Sequence, residues 1–451
     1  MSTNHGTEEK TTTAWRLLIN FLLYVSPVAL LTTIFPIVTP TINRYNLDGV
    51  PLIQVILAAS ITVPWLSQAA CLPLYRAIQM EHKKIADARE GLRIHAETLE
   101  HQLKRAEARA VRARMSEPQF QDITDLTAFT RNWLYLFFMT MPLVLLFAIP
   151  VALVLHWSPT AFGAFFVLGV LNIAFAQLLV IPNLAKNRII WFIAWLGYSL
   201  ALLCYPVIWF LPPLVGSLIL LVSLGKDLVH LLHFARIPIK DIALDALRGF
   251  FTGSIIWADK YMLFLVTGGE INVVAIYLSL IPCVIAYNYF FVVEADRVNA
   301  SIQHLWTIFD RLPYKGVQEE SSKALRASNR AIRNSLLIYI ASAIVTGILM
   351  FIFLPQSYPL ALSGLVVAFL FVAVALLIYQ IEYMTMYVTV QLLSAAHLVL
   401  LFISFMILPN ETGYLPIIVG EAVLAFACYR VYRQAWAAPE YSLFWRRALA
   451  W

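Results

Sequence analysis

The sequence predicts an all-α polytopic membrane protein. It has twelve transmembrane helices in two six-helix lobes, with a long cytoplasmic charged helix between spans two and three. Three observations carry that prediction. The 451 residues are 61% hydrophobic and 13% charged. Soluble domains average roughly 45–50% and about 25%, so a soluble core would not absorb this apolar surface. Twelve mainly apolar runs reach the roughly 20 residues that a span needs. Lysine and arginine fall almost wholly on one side of those runs.

The runs lie near 15–39, 51–75, 133–155, 160–182, 189–211 and 212–234, then 247–268, 271–293, 334–355, 358–380, 384–408 and 413–433. Two pairs are joined tightly, at Pro212-Pro213 and around Gln380 to Tyr383. The polar stretch 1–14 reads as a cytoplasmic tail and not as a cleaved signal. With that end inside, the cytoplasmic segments are 76–132, 183–188, 235–246, 294–333, 381–383 and both tails. These segments and their flanks hold 29 of the 32 Lys and Arg; Arg44 alone falls in an outside loop, and Lys226 and Lys260 fall within runs. Cytoplasmic retention of Lys and Arg selects this count, because one missed span would invert everything after it. The expected location is a bacterial inner membrane with both termini cytoplasmic.

The expected units are a tail (1–14), a first lobe (15–234, including the 76–132 insertion), a linker (235–246), a second lobe (247–433, including 294–333) and a tail (434–451). The halves echo each other. Each carries a long cytoplasmic excursion after its second span, and that span bears proline: Pro64 and Pro73, then Pro282. Such an echo suggests parallel repeats.

In the first excursion Ile78, Ile85, Leu92, Leu99, Ala106 and Ala113 recur every seven residues. The spacing predicts one helix over 78–114, roughly 50 Å long at 1.5 Å per residue. Only this one heptad position stays apolar, and a coiled coil needs two. The helix therefore either docks a cytoplasmic partner or folds as a charged hairpin against the protein's own base. In the second excursion, 294–312 and 317–333 are amphipathic and break at Leu312-Pro313. Val298, Ile302, Leu305, Ile308, Leu325 and Ile332 lie along the membrane surface or pack under the second lobe; Arg326, Arg330 and Arg333 favour the anionic inner leaflet.

Ionisable groups at bilayer depth are costly and mark cavities or buried pairs. Asp259 and Lys260 lie mid-way along the seventh run, within Trp257-Ala258-Asp259-Lys260-Tyr261. Neighbours point about 100° apart on a helix, so the two are expected to have different partners. Lys226 and Asp227 lie in the sixth run, followed by His230 and His233; Glu421 lies in the twelfth, with His397 of the eleventh as its companion. One reading has these groups lining a central cavity, where they contact a polar substrate or carry a proton. The other has them as salt bridges tying the lobes together, such as Lys260 or Lys226 with Glu421. Trp257 and Tyr261 suit stacking against sugars, although a lone Trp in a span is more often packing. Glu294 and Glu382 read as interfacial, and Asn20, Gln68, Asn172, Gln177, Asn288 and Gln391 as interhelical hydrogen bonders.

The scattered Cys71, Cys204, Cys283 and Cys428 read as core packing. No catalytic set, cofactor, metal site or nucleic-acid partner is expected. No G-x-x-x-x-G-K-S/T element occurs, so the chain is not expected to hydrolyse nucleotide.

Ile256-Trp257-Ala258-Asp259-Lys260-Tyr261-Met262-Leu263 resembles the D-K/R-aromatic start of the second lobe in the MOP (MATE/Wzx-like) flippase superfamily, in its polysaccharide branch. The run from Ile281-Pro282 through Phe290, Phe291 and Glu294, with the amphipathic linker to Arg333, is similar to the PelG-type exopolysaccharide exporters. The resemblance runs over roughly 246–350. It implies export of polysaccharide or lipid-linked sugar by alternating access, through a cavity lined by spans one, two, seven and eight. A glycosyltransferase or other biosynthetic subunit is the expected partner, docked on 78–114, a helix that lies outside this resemblance. The alternatives are an integral-membrane glycosyltransferase or polymerase of the envelope, or a scaffold recruiting cytoplasmic proteins through 78–114.

Overall fold

A computed structural model describes residues 5–101, 104–114, 124–185, 187–232, 237–309 and 311–448. The chain is almost wholly helical. α1 (His5–Ile42) leads to a minimal hairpin of β1 (Asn46–Leu47) and β2 (Val50–Pro51). Asp48 and Gly49 both take positive φ there, the backbone a two-residue turn of this type requires. α2 (Leu52–His101), α3 (Arg105–Arg114), α4 (Asp125–Thr140), α5 (Leu145–Val154), α6 (Pro159–Leu178), α7 (Val180–Leu184), α8 (Arg188–Cys204) and α9 (Leu211–Ser223) complete the first half. α10 (Ile239–Val266), α11 (Val273–Tyr289), α12 (Ala295–Ile308), α13 (Tyr314–Phe353), α14 (Tyr358–Tyr383), α15 (Tyr387–Ile407), α16 (Tyr414–Ala435) and α17 (Pro439–Ala448) form the second.

Among the described residues nine helices are long and apolar enough to cross a membrane. The three further expected spans fall on elements that miss that measure for separate reasons. Run 189–211 falls on α8, which has 17 residues. Run 212–234 falls on α9 and the short helix Gly225–Leu232, bent by 103° at their junction. Run 247–268 falls on α10, whose apolar stretch is interrupted by Asp259 and Lys260. The joint expected at Pro212-Pro213 is displaced: both prolines lie in the first turn of α9, and the break is at 205–210. Proline is at home in a first turn, where its missing N–H has no helical partner anyway.

The helix pairings repeat between the halves. Counting the expected spans in order, the first half pairs one with five (α1–α8), two with three and four (α2–α4, α2–α6), four with six (α6–α9) and five with six (α8–α9). The second half repeats every one of these six places later: α10–α15, α11–α13, α11–α14, α14–α16 and α15–α16. Equivalent glutamines occupy equivalent places. Gln177 donates to Ala70 O (2.9 Å) and Thr140 Oγ1 (3.0 Å), tying α6 to α2 and α4. Gln380 accepts from Ser328 Oγ at 2.7 Å and its carbonyl accepts from Trp436 Nε1 at 2.9 Å, tying α14 to α13 and the end of α16. The halves meet chiefly along α2 and α10, with a smaller contact between α1 and α11.

Both excursions are continuations of membrane helices. α2 runs without a break from the apolar stretch through His101, and α11 passes through a π-helical turn at Phe290–Glu294 into α12. The helix expected over 78–114 is broken: α2 ends at His101 and α3 packs back along it. Ala96 and Leu99 are buried as a result, and Ile85, Arg89 and Leu92 extend the same half-buried face. The heptad continues across the break because Ala106 and Ala113 belong to the returning helix. In the second excursion Val298, Ile302, Leu305 and Ile308 are buried opposite Val317, Ser321, Ala324 and Ser328 of α13. That stripe is covered by protein and does not lie along a membrane surface.

Exposed ion pairs decorate the α2 extension. Arg93 bridges Glu90 (2.5 Å) and Glu97 (2.9 Å), all three side chains about half exposed. Solvent screening leaves such pairs with little net worth. Arg93→Gln is expected to leave the unfolding midpoint in detergent unchanged, as checked by thermal unfolding.

Candidate functional site

α10 has two working faces. One packs on α2 of the other half, and close approach there requires glycine. A Cβ on Gly249 would sit 2.4 Å from the Gln68 carbonyl oxygen, and one on Gly253 3.0 Å from Trp65 Cδ1. Small residues allow this backbone proximity between membrane helices. Trp65 Nε1 donates to Phe250 O at 2.6 Å, and Tyr261 OH donates to Phe147 O at 3.0 Å. Gln68 donates to Tyr287 OH at 3.1 Å, which in turn meets Tyr379 OH at 2.7 Å. At the Lys/Arg-rich end Arg76 of α2 pairs with Asp245 of α10 at 2.6 Å. Within the second half, Arg248 pairs with Glu382 and stacks over the Tyr387 ring at 4.3 Å.

The other face of α10 carries Asp259 and Lys260, both buried, at 2% and 4% exposure. They pair with each other: Lys260 Nζ donates to Asp259 Oδ1 at 2.8 Å and to Ile256 O at 2.8 Å. The expectation of separate partners fails because the lysine chain is long enough to fold back along its own helix. Asp259 Oδ2 accepts from Tyr414 OH of α16 at 3.1 Å. Lys260 Nζ lies 5.5 Å from the centre of the Phe371 ring on α14, and Phe371 meets the His397 ring edge-on at 5.0 Å. His397 Nδ1 is 2.7 Å from Glu421 Oε1, and both residues are 0% exposed. The remaining atoms of that pair, His397 Nε2 and Glu421 Oε2, have no hydrogen-bond partner among the described residues.

Four of the sequence-selected residues thus form two buried pairs, Asp259 with Lys260 and His397 with Glu421, that both meet the Phe371 ring. Glu421 takes His397 and neither lysine. Trp257 is half-buried, and Tyr261 faces the other half. Lys226 and Asp227 do not join. They follow the 103° bend, with Lys226 exposed and Asp227 half-buried, so they are not ionisable groups within a straight span. His233 and the side chain of Asn20 lie outside the described residues. Glu294 is more than interfacial: it is 2% exposed and accepts from Tyr289 OH (3.0 Å) and Asn334 Nδ2 (2.9 Å). Sequence reasoning missed Tyr414, Phe371, the Arg76–Asp245 pair and the α10 glycines. Only the G-x-x-x-G spacing of Gly249 and Gly253 offered a local signal.

A cavity of about 620 Å³ opens at the end of the seam remote from Arg76. It is lined by α1 and its end (Thr39, Asn43), α2 (Ile53, Gln54, Leu57), the loop after α10 (Gly269, Glu270, Ile271) and Val273 of α11. Asp259 and Lys260 are not on its wall. Among the described residues no group of three His, Cys, Asp or Glu is placed to hold a metal.

No protein-family model matches the chain, and no curated protein matches it. Several solved structures are similar to it. A MATE protein in complex with MaL6 is 11% identical, with 93% of this chain and 96% of that chain covered, at a TM-score of 0.48. A multidrug resistance MATE family transporter of the MOP superfamily, in an outward-facing conformation, is 12% identical over 94% and 95%, at 0.45. A MOP superfamily transporter from Pyrococcus furiosus is 13% identical over 93% and 96%, at 0.43. All three lie at 11–13% identity, and none is named as a PelG-type exporter.

Proposed function

We propose that the chain is an inner-membrane exporter or flippase. It moves polysaccharide or lipid-linked sugar by alternating access between two six-helix lobes, twelve spans in all, with both termini in the cytoplasm. The observation that carries the reading is the repeated helix pairing about the α2–α10 seam. Parallel repeats that meet along one seam are a recurrent transporter design, in which the repeats rock about a site at their interface. In the described conformation the seam is closed at the Lys/Arg-rich end by Arg76–Asp245 and the Gly249 contact, and holds the 620 Å³ cavity at the other. With the basic end in the cytoplasm, this is the state shut to the cytoplasm. The ionisable cluster behind α10 is the charged element of the cycle, since buried charge at bilayer depth is retained at a cost. The sugar substrate rests on the sequence resemblance over 246–350; the docking of a biosynthetic subunit on the α2–α3 hairpin rests on the charged helix itself, which lies outside that resemblance.

The test locks the seam. An ideal Cβ on Gly253 would lie 3.2 Å from Gln68 Cβ, closer than the roughly 3.5–4.5 Å usual for a disulfide, so α10 must ease outward by a few tenths of an ångström to admit the pair. Gln68→Cys with Gly253→Cys, in a background without the four native cysteines, is expected to cross-link on oxidation. Surface polymer then disappears in producing cells and returns on reduction. Export at the wild-type rate with the bond formed would refute alternating access at this seam. Loss of the chain with no change in surface polymer would refute the sugar substrate.

A further inference from the structure

α13 is a single helix from Tyr314 to Phe353, and one of its faces changes chemistry along its length. Leu337, Ile340, Ile344, Ile348 and Phe351 recur at helical spacing and are 44–64% exposed. This is the outward, lipid-facing stripe of a span. Continued towards the basic end by steps of three and four residues, the same stripe reads Arg333, Arg330 and Arg326, all exposed. The buried stripe, Ala324, Ser328, Ala331 and Ser335, lies on the opposite side. The arginines therefore sit on the surface that meets lipid, directly below its apolar part.

Depth agrees with this placement. From Arg333 to Phe353 is roughly 30 Å at 1.5 Å per residue, the thickness of the hydrocarbon core. Arg333 lies at the core boundary, and Arg330 and Arg326 follow over roughly 10 Å, through the headgroup layer.

Several cations at this end have carboxylate partners: Arg76 with Asp245, Arg131 with Glu81, Arg248 with Glu382, Arg297 with Glu294 and Lys323 with Glu320. Arg326, Arg330 and Arg333 have no hydrogen-bond or ion-pair partner among the described residues. Cytoplasmic retention of positive charge accounts for arginines at this end in general. It does not account for three of them aligned on the lipid-facing stripe without counter-ions.

We propose that Arg326, Arg330 and Arg333 form an annular binding site for the headgroup phosphate of an anionic phospholipid of the inner leaflet. Guanidinium groups suit phosphate oxygens by geometry and by charge. The inference does not depend on the transport reading.

The test uses the full-length protein in phosphatidylcholine vesicles containing spin-labelled phosphatidylglycerol or spin-labelled phosphatidylcholine. The motionally restricted fraction of each label gives the protein's preference between them. The wild type is expected to prefer phosphatidylglycerol about fivefold or more, the equivalent of one realised contact of ~1 kcal/mol. The triple Arg→Gln variant is expected to lose the preference, and the triple Arg→Lys variant to keep most of it. Lys83→Gln with Lys84→Gln, on the α2 extension, leaves it intact. Should the triple variant misfold, raising salt on the wild type supplies the second measurement, and the preference must fall. Equal association of both lipids with the wild type, or an undiminished preference in folded triple Arg→Gln protein, overturns the proposal. So does abolition of the preference by millimolar glycerol phosphate in solution, since that marks a site for free phosphate esters.

Discussion

Lys260→Met is expected to destabilise the folded protein by about 3–5 kcal/mol, the usual cost of removing one member of a buried ion pair. The reason is local. Asp259 is 2% exposed, and without Lys260 only the Tyr414 hydroxyl remains to satisfy it. Lys260 is equally dependent, because the Ile256 carbonyl and the Phe371 ring face are its remaining contacts. The double variant Asp259→Asn, Lys260→Met is therefore expected to regain most of the loss, since isosteric neutral pairs avoid the desolvation of both charges. Unfolding in detergent micelles, by heat or by denaturant, measures all three forms. A Lys260→Met protein as stable as the wild type would show that the pair contributes nothing to the fold. The same double variant also separates structure from transport. Stable protein that no longer exports is the outcome our reading requires, and stable protein that exports normally would reduce the pair to packing.

Gly249→Ala is the second large effect. In an ordinary helix interior this change helps by up to ~1 kcal/mol. Here the new methyl meets backbone, 2.4 Å from the Gln68 carbonyl oxygen and 2.8 Å from Ala69 Cα. Neither atom can rotate away, so α2 and α10 must separate, at the roughly 1–3 kcal/mol typical of overpacking. The sign is thus reversed, and the closed seam loses most. Gly420→Ala is the control. Its Cβ would lie 2.4 Å from Leu400 Cδ1, the end of a flexible side chain, and a rotamer change relieves it. Midpoints for the two variants, with oxidation yields of the Gln68–Gly253 cysteine pair measured in each background, check the prediction. A seam that cross-links as readily with Gly249→Ala as without it would contradict the close-approach argument.

The parts of the fold legible in sequence were those set by one-dimensional patterns. Apolar run length and the placement of Lys and Arg located every helix that bears an expected span. The break at Leu312-Pro313 was legible because proline cannot continue the preceding helix. The break after His101 was not, because no proline or glycine marks it and the heptad runs on through it. Pro212-Pro213 misled because proline starts helices as readily as it separates them. The site divides in the same way. Asp259, Lys260, His397 and Glu421 announced themselves by charge in apolar surroundings. Their partners did not: Tyr414 and Phe371 look like any other aromatic in a span, and the self-pairing of Asp259 with Lys260 depends on lysine's reach and not on helical angles.

The unbroken course of α2 has a mechanical consequence. The helix that forms one wall of the seam is also the shaft of the α2–α3 hairpin, which continues from Arg76 to His101 for roughly 37 Å at 1.5 Å per residue. The helix stays continuous through Pro73, so the rocking proposed at the seam becomes leverage at the hairpin: a tilt of about 10° sweeps the tip through roughly 6 Å. If the halves rock as proposed, the hairpin tip follows the state of the seam, and a partner gripping that tip holds a handle on it.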